Sequence, residues 1–191
     1  MKSRKRAFTL VELMIVISII GILVGMLTPM ISNAQKNAVK TTSKALFTNM
    51  VTALERYKDE YGYFPSFLAQ RDRTNLDDGS YSENFVKAVT GMDPDGKQLS
   101  QSDRREFKNG TKWRIVDGFG NPNIYVCVDG DGDGFIKKGF PTATDGINST
   151  ELKEIVPNPQ SGIRSRAIIF TLKKDSKKAT ADFSSDDIFT W

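Results

Sequence analysis

The chain has 191 residues and a formal net charge of +4, a length typical of a single domain. Four basic residues, Lys2, Arg4, Lys5 and Arg6, lie at the N-terminal tip, and the remaining basic residues only equal the 23 acidic ones in number. A basic patch spread over a domain, as nucleic-acid binding requires, is therefore not predicted. The sequence has no histidine, which excludes the commonest general base and every catalytic pair that needs an imidazole.

An apolar segment follows the basic tip. No residue from Leu13 to Gln35 is charged, and at about 1.5 Å per residue a helix of this length spans a bilayer core of about 30 Å. The positive-inside rule predicts a cytoplasmic N-terminus and a C-terminal part across the membrane. A cleaved secretory signal fits less well, because the apolar run is long and no small-x-small cleavage site follows it.

Glu12 stands at the start of this apolar run. An acid at the centre of a membrane helix costs about 2.5–3.5 kcal/mol, and less near its edge, so its presence indicates a function and a cationic partner. One candidate partner is a new α-amino group. If the chain were cut after Ala7, the amine of Phe8 could pair with Glu12 of its own helix or of a staggered parallel neighbour, where the low dielectric strengthens the attraction.

Residues 6–23, "RAFTLVELMIVISIIGIL", resemble the N-terminal signature of type IV pilins and type II secretion pseudopilins. The resemblance implies that a prepilin peptidase removes residues 1–7 and N-methylates Phe8. It also implies that Glu12 pairs with a neighbour's Phe8 amine during assembly, and that Pro29 is the family's helix-kinking proline. Ala7 departs from the glycine that usually precedes the cut. An ordinary signal anchor is the alternative interpretation.

The resemblance to a major pseudopilin of type II secretion implies a structural subunit of the bacterial inner membrane, single-pass, with its head on the periplasmic side. Its implied partners are further copies of itself in a filament, the prepilin peptidase, an inner-membrane assembly platform and minor pseudopilins. A type IV pilin or a minor pilin shares this chemistry. The paired cysteines common in type IV pilin heads are absent, since the chain has one cysteine, and this favours the pseudopilin.

The apolar run continues into an amphipathic stretch with one helical face, formed by Leu46, Met50, Leu54, Tyr57 and Tyr61. Gly62 then predicts a helix end. We therefore expect a leader at 1–7, one helix over 8–61 with its membrane and filament part at 8–35, and a head over 62–191.

Strands are predicted for "KWRIVD", "NIYVCVD" and "RAIIFTLKK", with "DIFTW" as a weaker candidate. The turn residues "DGFGNP" predict a hairpin between the first two runs. "SENFVKAVTG" predicts a short helix. The expected fold is α+β and type IV pilin-like, with a small antiparallel sheet packed on the second half of the long helix. Cys127 lies inside a strand-like run and is predicted to be a small buried hydrophobe rather than a nucleophile.

The motif "DGDGDG" is the sharpest chemical signal in the head. Aspartates at alternate positions, Asp129, Asp131 and Asp133, can converge on one hard cation where glycines let the chain curl, as in the first half of an EF-hand loop. The Phe135 carbonyl is the next expected ligand of a loop over 129–135, and Asp145 could supply a further carboxylate. Oxygen ligands favour Ca²⁺ or Mg²⁺. The alternative is a solvated hairpin loop, which must accept the repulsion between the aspartates.

No catalytic constellation is predicted, because an exposed glycine-flanked loop does not separate the pKa values of paired carboxylates and no nucleotide-binding loop is present. An anchored hydrolase is therefore disfavoured. A different class remains open: a membrane-tethered, calcium-dependent binding module that does not polymerise. The predicted effect of losing Glu12 separates the two, because only a filament subunit needs it for assembly.

Overall fold

The computed structural model describes residues 9–77, 80–90, 99, 108–109, 112–142, 149–156, 158–174, 181–182 and 187–191. It confirms the predicted α+β architecture, in which one long N-terminal helix is followed by shorter helices and small antiparallel sheets. Contacts within the chain divide it into two compact units, Met1–Val39 and Lys40–Trp191.

Helix α1 extends from Leu10 to Tyr61, a length of 52 residues. The helix continues through position 29, and the predicted bend at Pro29 stays a prediction. At its C-terminal end the Gly62 N–H donates to the Lys58 carbonyl at 2.8 Å, so the helix closes where the sequence predicted. The predicted start at position 8 lies outside the described residues.

In the first unit, α1 has no charged residue from Leu13 to Ile31, and over that range it is exposed wherever its side chains are described. Its described large apolar side chains, from Leu10 to Ile31, are between 46% and 74% exposed. Within the described residues α1 is the one helix long and apolar enough to cross a membrane, with a mean hydropathy of 2.7 over its most apolar window. A helix that is hydrophobic all round is stable only when something other than water covers it.

The second unit is built around the C-terminal part of α1. The helix face that it buries consists of Phe47, Met50, Ala53 and Leu54. This face packs in one hydrophobic cluster with side chains of the sheet described below. The predicted face is confirmed at Met50 and Leu54, and Leu46 and Tyr57 pack partly buried beside them. Tyr61, by contrast, is 36% exposed.

The main sheet has three antiparallel strands in the order β1–β4–β7. Strand β1 is Thr74–Asn75, β4 is Ile124–Val128 and β7 is Ala167–Thr171. The other elements are α2 Ser66–Ala69, α3 Tyr81–Thr90, β2 Lys108–Asn109, β3 Lys112–Trp113, β5 Phe135–Ile136, α4 Ser149–Ile155, β6 Ile163–Arg164, β8 Lys173–Lys174 and β9 Ala181–Asp182.

Both faces of the main sheet are covered, which explains why every residue of β7 is buried. Ile124 and Val126 of β4 lie in the cluster that contains the α1 face. Cys127 lies in a second cluster, with Phe170, residues of α4 and the C-terminal Trp191. Cys127 is 1% exposed, as expected for a structural thiol.

The predicted hairpin before β4 is wrong. Of "KWRIVD", only Lys112–Trp113 forms a strand, and it pairs with β2 rather than β4. Two side chains account for this difference. The Asp117 carboxylate accepts the N–H groups of Phe119 and Asn121 at 2.9 and 2.8 Å. The Ser82 hydroxyl accepts the N–H of Ile115 at 3.1 Å. These side-chain oxygens take backbone N–H groups in place of a strand partner.

Candidate assembly and metal sites

Glu12 lies in the first turn of α1 and forms a reciprocal cap with Thr9. Its carboxylate accepts the Thr9 N–H and the Thr9 hydroxyl, each at 2.8 Å. The Glu12 N–H in turn donates to the Thr9 hydroxyl oxygen at 3.2 Å. This arrangement is a capping box, which satisfies N–H groups that a helix start leaves without intrahelical partners. The pattern Thr-x-x-Glu was readable in the sequence, but its capping role was not predicted.

The cap gives Glu12 a polar partner within its own chain. Ala7 and Phe8, the predicted cleavage and methylation positions, lie outside the described residues, so the pairing of Glu12 with an amine stays a prediction. A carboxylate has two oxygens and about four acceptor sites, so contacts to Thr9 leave acceptor capacity for an ammonium group.

The structure brings the three alternate aspartates of the acidic loop close together. One carboxylate oxygen from each of Asp129, Asp131 and Asp133 lies within 4.8 Å of the others. Two oxygens bound to one Ca²⁺ at about 2.3–2.6 Å can be separated by up to about 5 Å, so the spacing fits a shared ion. Gly132 and Gly134 have φ angles of 80° and 87°, a conformation that glycine adopts without steric cost and that curls the loop.

Asp129 differs from the other two aspartates because it is buried, with 2% of its surface exposed. Its two carboxylate oxygens accept the N–H groups of Gly132 at 2.7 Å and Gly134 at 2.8 Å. Burial acts to raise the pKa of Asp129, but the hydrogen bonds from Gly134 and Gly132 outweigh it and hold the pKa below its ordinary value. Asp129 therefore shapes the loop as an ionised acceptor.

Asp131 and Asp133 are exposed, with side chains 63% and 40% accessible. Both contact the ammonium group of Lys137, whose Nζ lies 3.4 Å from Asp131 Oδ2 and forms an ion pair with Asp133. The hydrogen bond to Asp133 is the main reason that the pKa of Lys137 lies above its ordinary value. Lys137 was not predicted from the sequence, although its place four residues after Asp133 was a signal of such a pair.

Arg166 ties the acidic loop to the end of α1. The Asp129 N–H donates to the Arg166 carbonyl at 2.9 Å. The Arg166 guanidinium donates to Asp59 of α1 at 2.7 Å, and this hydrogen bond raises the pKa of Arg166. One residue thus contacts both the loop backbone and the long helix.

The remaining predicted ligands are not tested by the structure. Phe135 begins β5, and its N–H donates to Asp133 Oδ1 at 2.9 Å. The assignment of its carbonyl as a ligand stays a prediction. Asp145 lies outside the described residues.

Residues 2–28 match the family model described as the prokaryotic N-terminal methylation motif. The chain therefore carries a prepilin-type N-terminal signal, as the resemblance implied. A signal of this kind is processed by prepilin peptidase and is typical of structural subunits that assemble into filaments rather than of enzymes. Together with the apolar α1, this signal fits a membrane-anchored, single-pass protein with a type IV pilin-like architecture. Neither the curated proteins nor the solved structures that were searched gave a match.

Proposed function

We propose that the chain is a structural subunit of a type II secretion-like pseudopilus. In this proposal the precursor inserts in the inner membrane with its head on the periplasmic side. Prepilin peptidase cuts between Ala7 and Phe8 and methylates the new N-terminus. The subunit then leaves the bilayer and enters a filament through α1, with the help of an assembly platform and minor pseudopilins.

The exposed apolar part of α1 carries the proposal. Its side chains from Leu10 to Ile31 are at least 46% exposed where they are described, yet the same helix continues into a well-packed core at Phe47 and Met50. Apolar surface on this scale needs a bilayer or other apolar helices around it. In a subunit that moves from the membrane into a filament, neighbouring helices replace the bilayer around α1. In an anchor that never polymerises, α1 stays in the bilayer.

We also propose that the acidic loop binds Ca²⁺ and that the ion makes the head more rigid. The oxygen-only donor set of Asp129, Asp131 and Asp133 suits a hard cation. The two exposed carboxylates leave room for the waters that complete a coordination shell of six to eight oxygens. The link from the loop through Arg166 to Asp59 would pass this rigidity on to α1.

The assembly role of Glu12 is tested with Glu12→Gln. Glutamine retains an acceptor oxygen for the reciprocal cap with Thr9 but carries no charge, so it separates capping from ion pairing. Removal of one partner of a buried ion pair costs about 3–5 kcal/mol. We therefore expect filament yield to fall at least tenfold, while membrane insertion and trimming after Ala7 remain normal. The measurement is the sheared-filament fraction from cells that express an assembly system.

Ser18→Ala is the matched control. Ser18 is a polar residue of the same apolar segment, and its hydroxyl donates to the carbonyl of Met14 at 2.7 Å, so its loss changes no charge. We expect Ser18→Ala to assemble like the natural protein. Normal filament yield from Glu12→Gln would show that the charge of Glu12 is not needed, and the ion-pair mechanism of assembly would be wrong.

A further inference from the structure

We infer that Lys137 is the resident counter-ion of the acidic loop and that Ca²⁺ binds by displacing its ammonium group, so that Lys137 limits the calcium affinity of the head. This inference rests on the calcium site proposed above. It concerns a residue outside the motif, four positions beyond Asp133 and just after β5.

The position of the ammonium group is the main observation. Lys137 Nζ contacts two of the three candidate ligands, at 3.4 Å from Asp131 Oδ2 and in an ion pair with Asp133 Oδ2. A cation at this place relieves the repulsion between carboxylates that are otherwise within ligand distance of one another. The loop therefore needs no metal to hold its shape, and Asp129 fixes that shape through its bonds to the glycine N–H groups.

A calcium ion needs the same carboxylates. Ca²⁺ takes oxygens at about 2.3–2.6 Å, so an ion held by Asp131 and Asp133 would lie within about 5 Å of the ammonium position. Two positive charges at this separation repel strongly when little water lies between them. The lysine stem is flexible and its side chain is half exposed, so the ammonium group can move to solvent. Calcium binding then includes the cost of breaking the lysine contacts.

The test compares Lys137→Met with Lys138→Met in the full-length protein in detergent, at about 0.1 M salt. Methionine keeps most of the aliphatic stem of lysine and removes its charge. Lys138 is the next residue and lines the same cavity beside the loop, together with Lys137 and Asp131. Within the described part of the chain it has no ion pair with the three aspartates. It thus controls for a general change in net charge.

Calcium dissociation constants are measured by isothermal titration calorimetry after removal of metal with EGTA. We expect Lys137→Met to lower the dissociation constant about three- to twentyfold, as loss of a close but solvent-screened repulsion predicts. We expect Lys138→Met to change it less than twofold. An equal gain in both variants would show a general charge effect and overturn the inference. Unchanged or weaker binding by Lys137→Met would also overturn it.

A second readout follows the amine itself. Acetylation of Lys137 in the natural protein, measured by mass spectrometry, should rise when calcium replaces EGTA, because the ammonium group leaves the carboxylates. Acetylation of Lys138 should remain the same. Equal acetylation of Lys137 in both conditions would contradict displacement.

The two proposals fail in different ways. Calcium binding by the natural protein with no effect of Lys137→Met removes the displacement inference and leaves the metal site. Absence of binding in both proteins removes both. If Lys137→Met binds calcium and the natural protein does not, the result supports displacement, because Lys137 then blocks the site completely.

Discussion

Asp129→Asn tests whether one buried carboxylate shapes the acidic loop. Asp129 accepts two backbone N–H groups, from Gly132 and Gly134, at 2.7 and 2.8 Å. A hydrogen bond to a charged group contributes about 1.5–3 kcal/mol. Asparagine keeps one acceptor oxygen and places an NH₂ group against the second N–H. We therefore expect the free energy of unfolding of the head to fall by about 2–4 kcal/mol, mostly from that lost bond.

The assay is thermal unfolding of the full-length protein in detergent and EGTA. For a unit of this size, 1 kcal/mol corresponds to about 2–4 °C, so Tm should fall by about 4–16 °C. Trp191 is a suitable fluorescence reporter, because its indole N–H donates to the Ile155 carbonyl at 2.5 Å and its ring packs against Phe170.

Asp131→Asn is the matched control for this experiment. The Asp131 side chain is 63% exposed, and exposed ion pairs contribute about 0–1 kcal/mol. In EGTA its Tm should therefore stay close to that of the natural protein. In calcium at about 100 times the dissociation constant, the natural protein should gain about 2.7 kcal/mol, and both variants should lose most of that gain. Equal Tm values for Asp129→Asn and the natural protein in EGTA would refute the loop argument.

Asp129→Asn should also change how the free energy of unfolding depends on pH in acid. The pKa of Asp129 lies below its ordinary value of 3.8 in the fold, so the unfolded chain takes up this proton first as the pH falls. The stabilisation is therefore complete above the ordinary pKa and is lost as the pH falls through the lower folded value. Below about pH 4, the natural protein should lose more stability with falling pH than Asp129→Asn does.

Two further predictions concern the packing beside the loop. Gly139→Ala should lower the free energy of unfolding by about 2–5 kcal/mol, because its Cβ would lie 1.8 Å from the Asp72 carbonyl oxygen at a φ of +83°. Gly120→Ala, at a φ of +80° with no atom within 4 Å of the new Cβ, should cost only the strain of about 1–2 kcal/mol. Equal urea midpoints for the two variants would contradict the contact with Asp72. Burial raises the pKa of the Cys127 thiol from 9.0 to about 12, so iodoacetamide at pH 8 should label Cys127 only in denaturant. The stability that comes from burying the neutral Cys127 thiol should be present below pH 9 and be lost between pH 9 and about 12. Full labelling of the native protein would contradict this burial.

The elements that the sequence predicted well are those with strong local patterns. The apolar run and the face at Met50 and Leu54 predicted α1, and Gly62 predicted its end. The runs around Ile124 and Ile168 predicted β4 and β7, because β-branched side chains buried on both faces give an almost continuous apolar pattern. Local periodicity was enough here because α1 satisfies its own backbone hydrogen bonds, and because β4 and β7 are apolar along almost their whole length.

The elements that the sequence did not predict depend on distant partners. Ile115 is held by Ser82, and the turn at Asp117 contacts Ser43 of α1 through the Gly118 N–H at 2.7 Å. No local pattern contains those contacts, so the run "KWRIVD" was predicted as a longer strand than it forms.

The acidic loop shows the same division. Its three aspartates were evident from their spacing, but the burial of Asp129 and the position of Lys137 depend on how the loop folds back on itself. Arg166 contacts the backbone of the loop at Asp129. Its guanidinium also contacts Asp59, which lies 107 residues earlier in the chain. The link from the loop to α1 could therefore be found only in three dimensions.

The intact mass and N-terminal sequence of the membrane-extracted protein test the central claim most directly. The comparison is between cells with and without a prepilin peptidase. With the peptidase, we predict a chain that begins at N-methylated Phe8 and lacks residues 1–7, while without it the chain keeps its leader. A chain that begins at Met1 in both cell types would contradict the proposed filament subunit, and a start beyond Asn33 would show a secreted head without its helix.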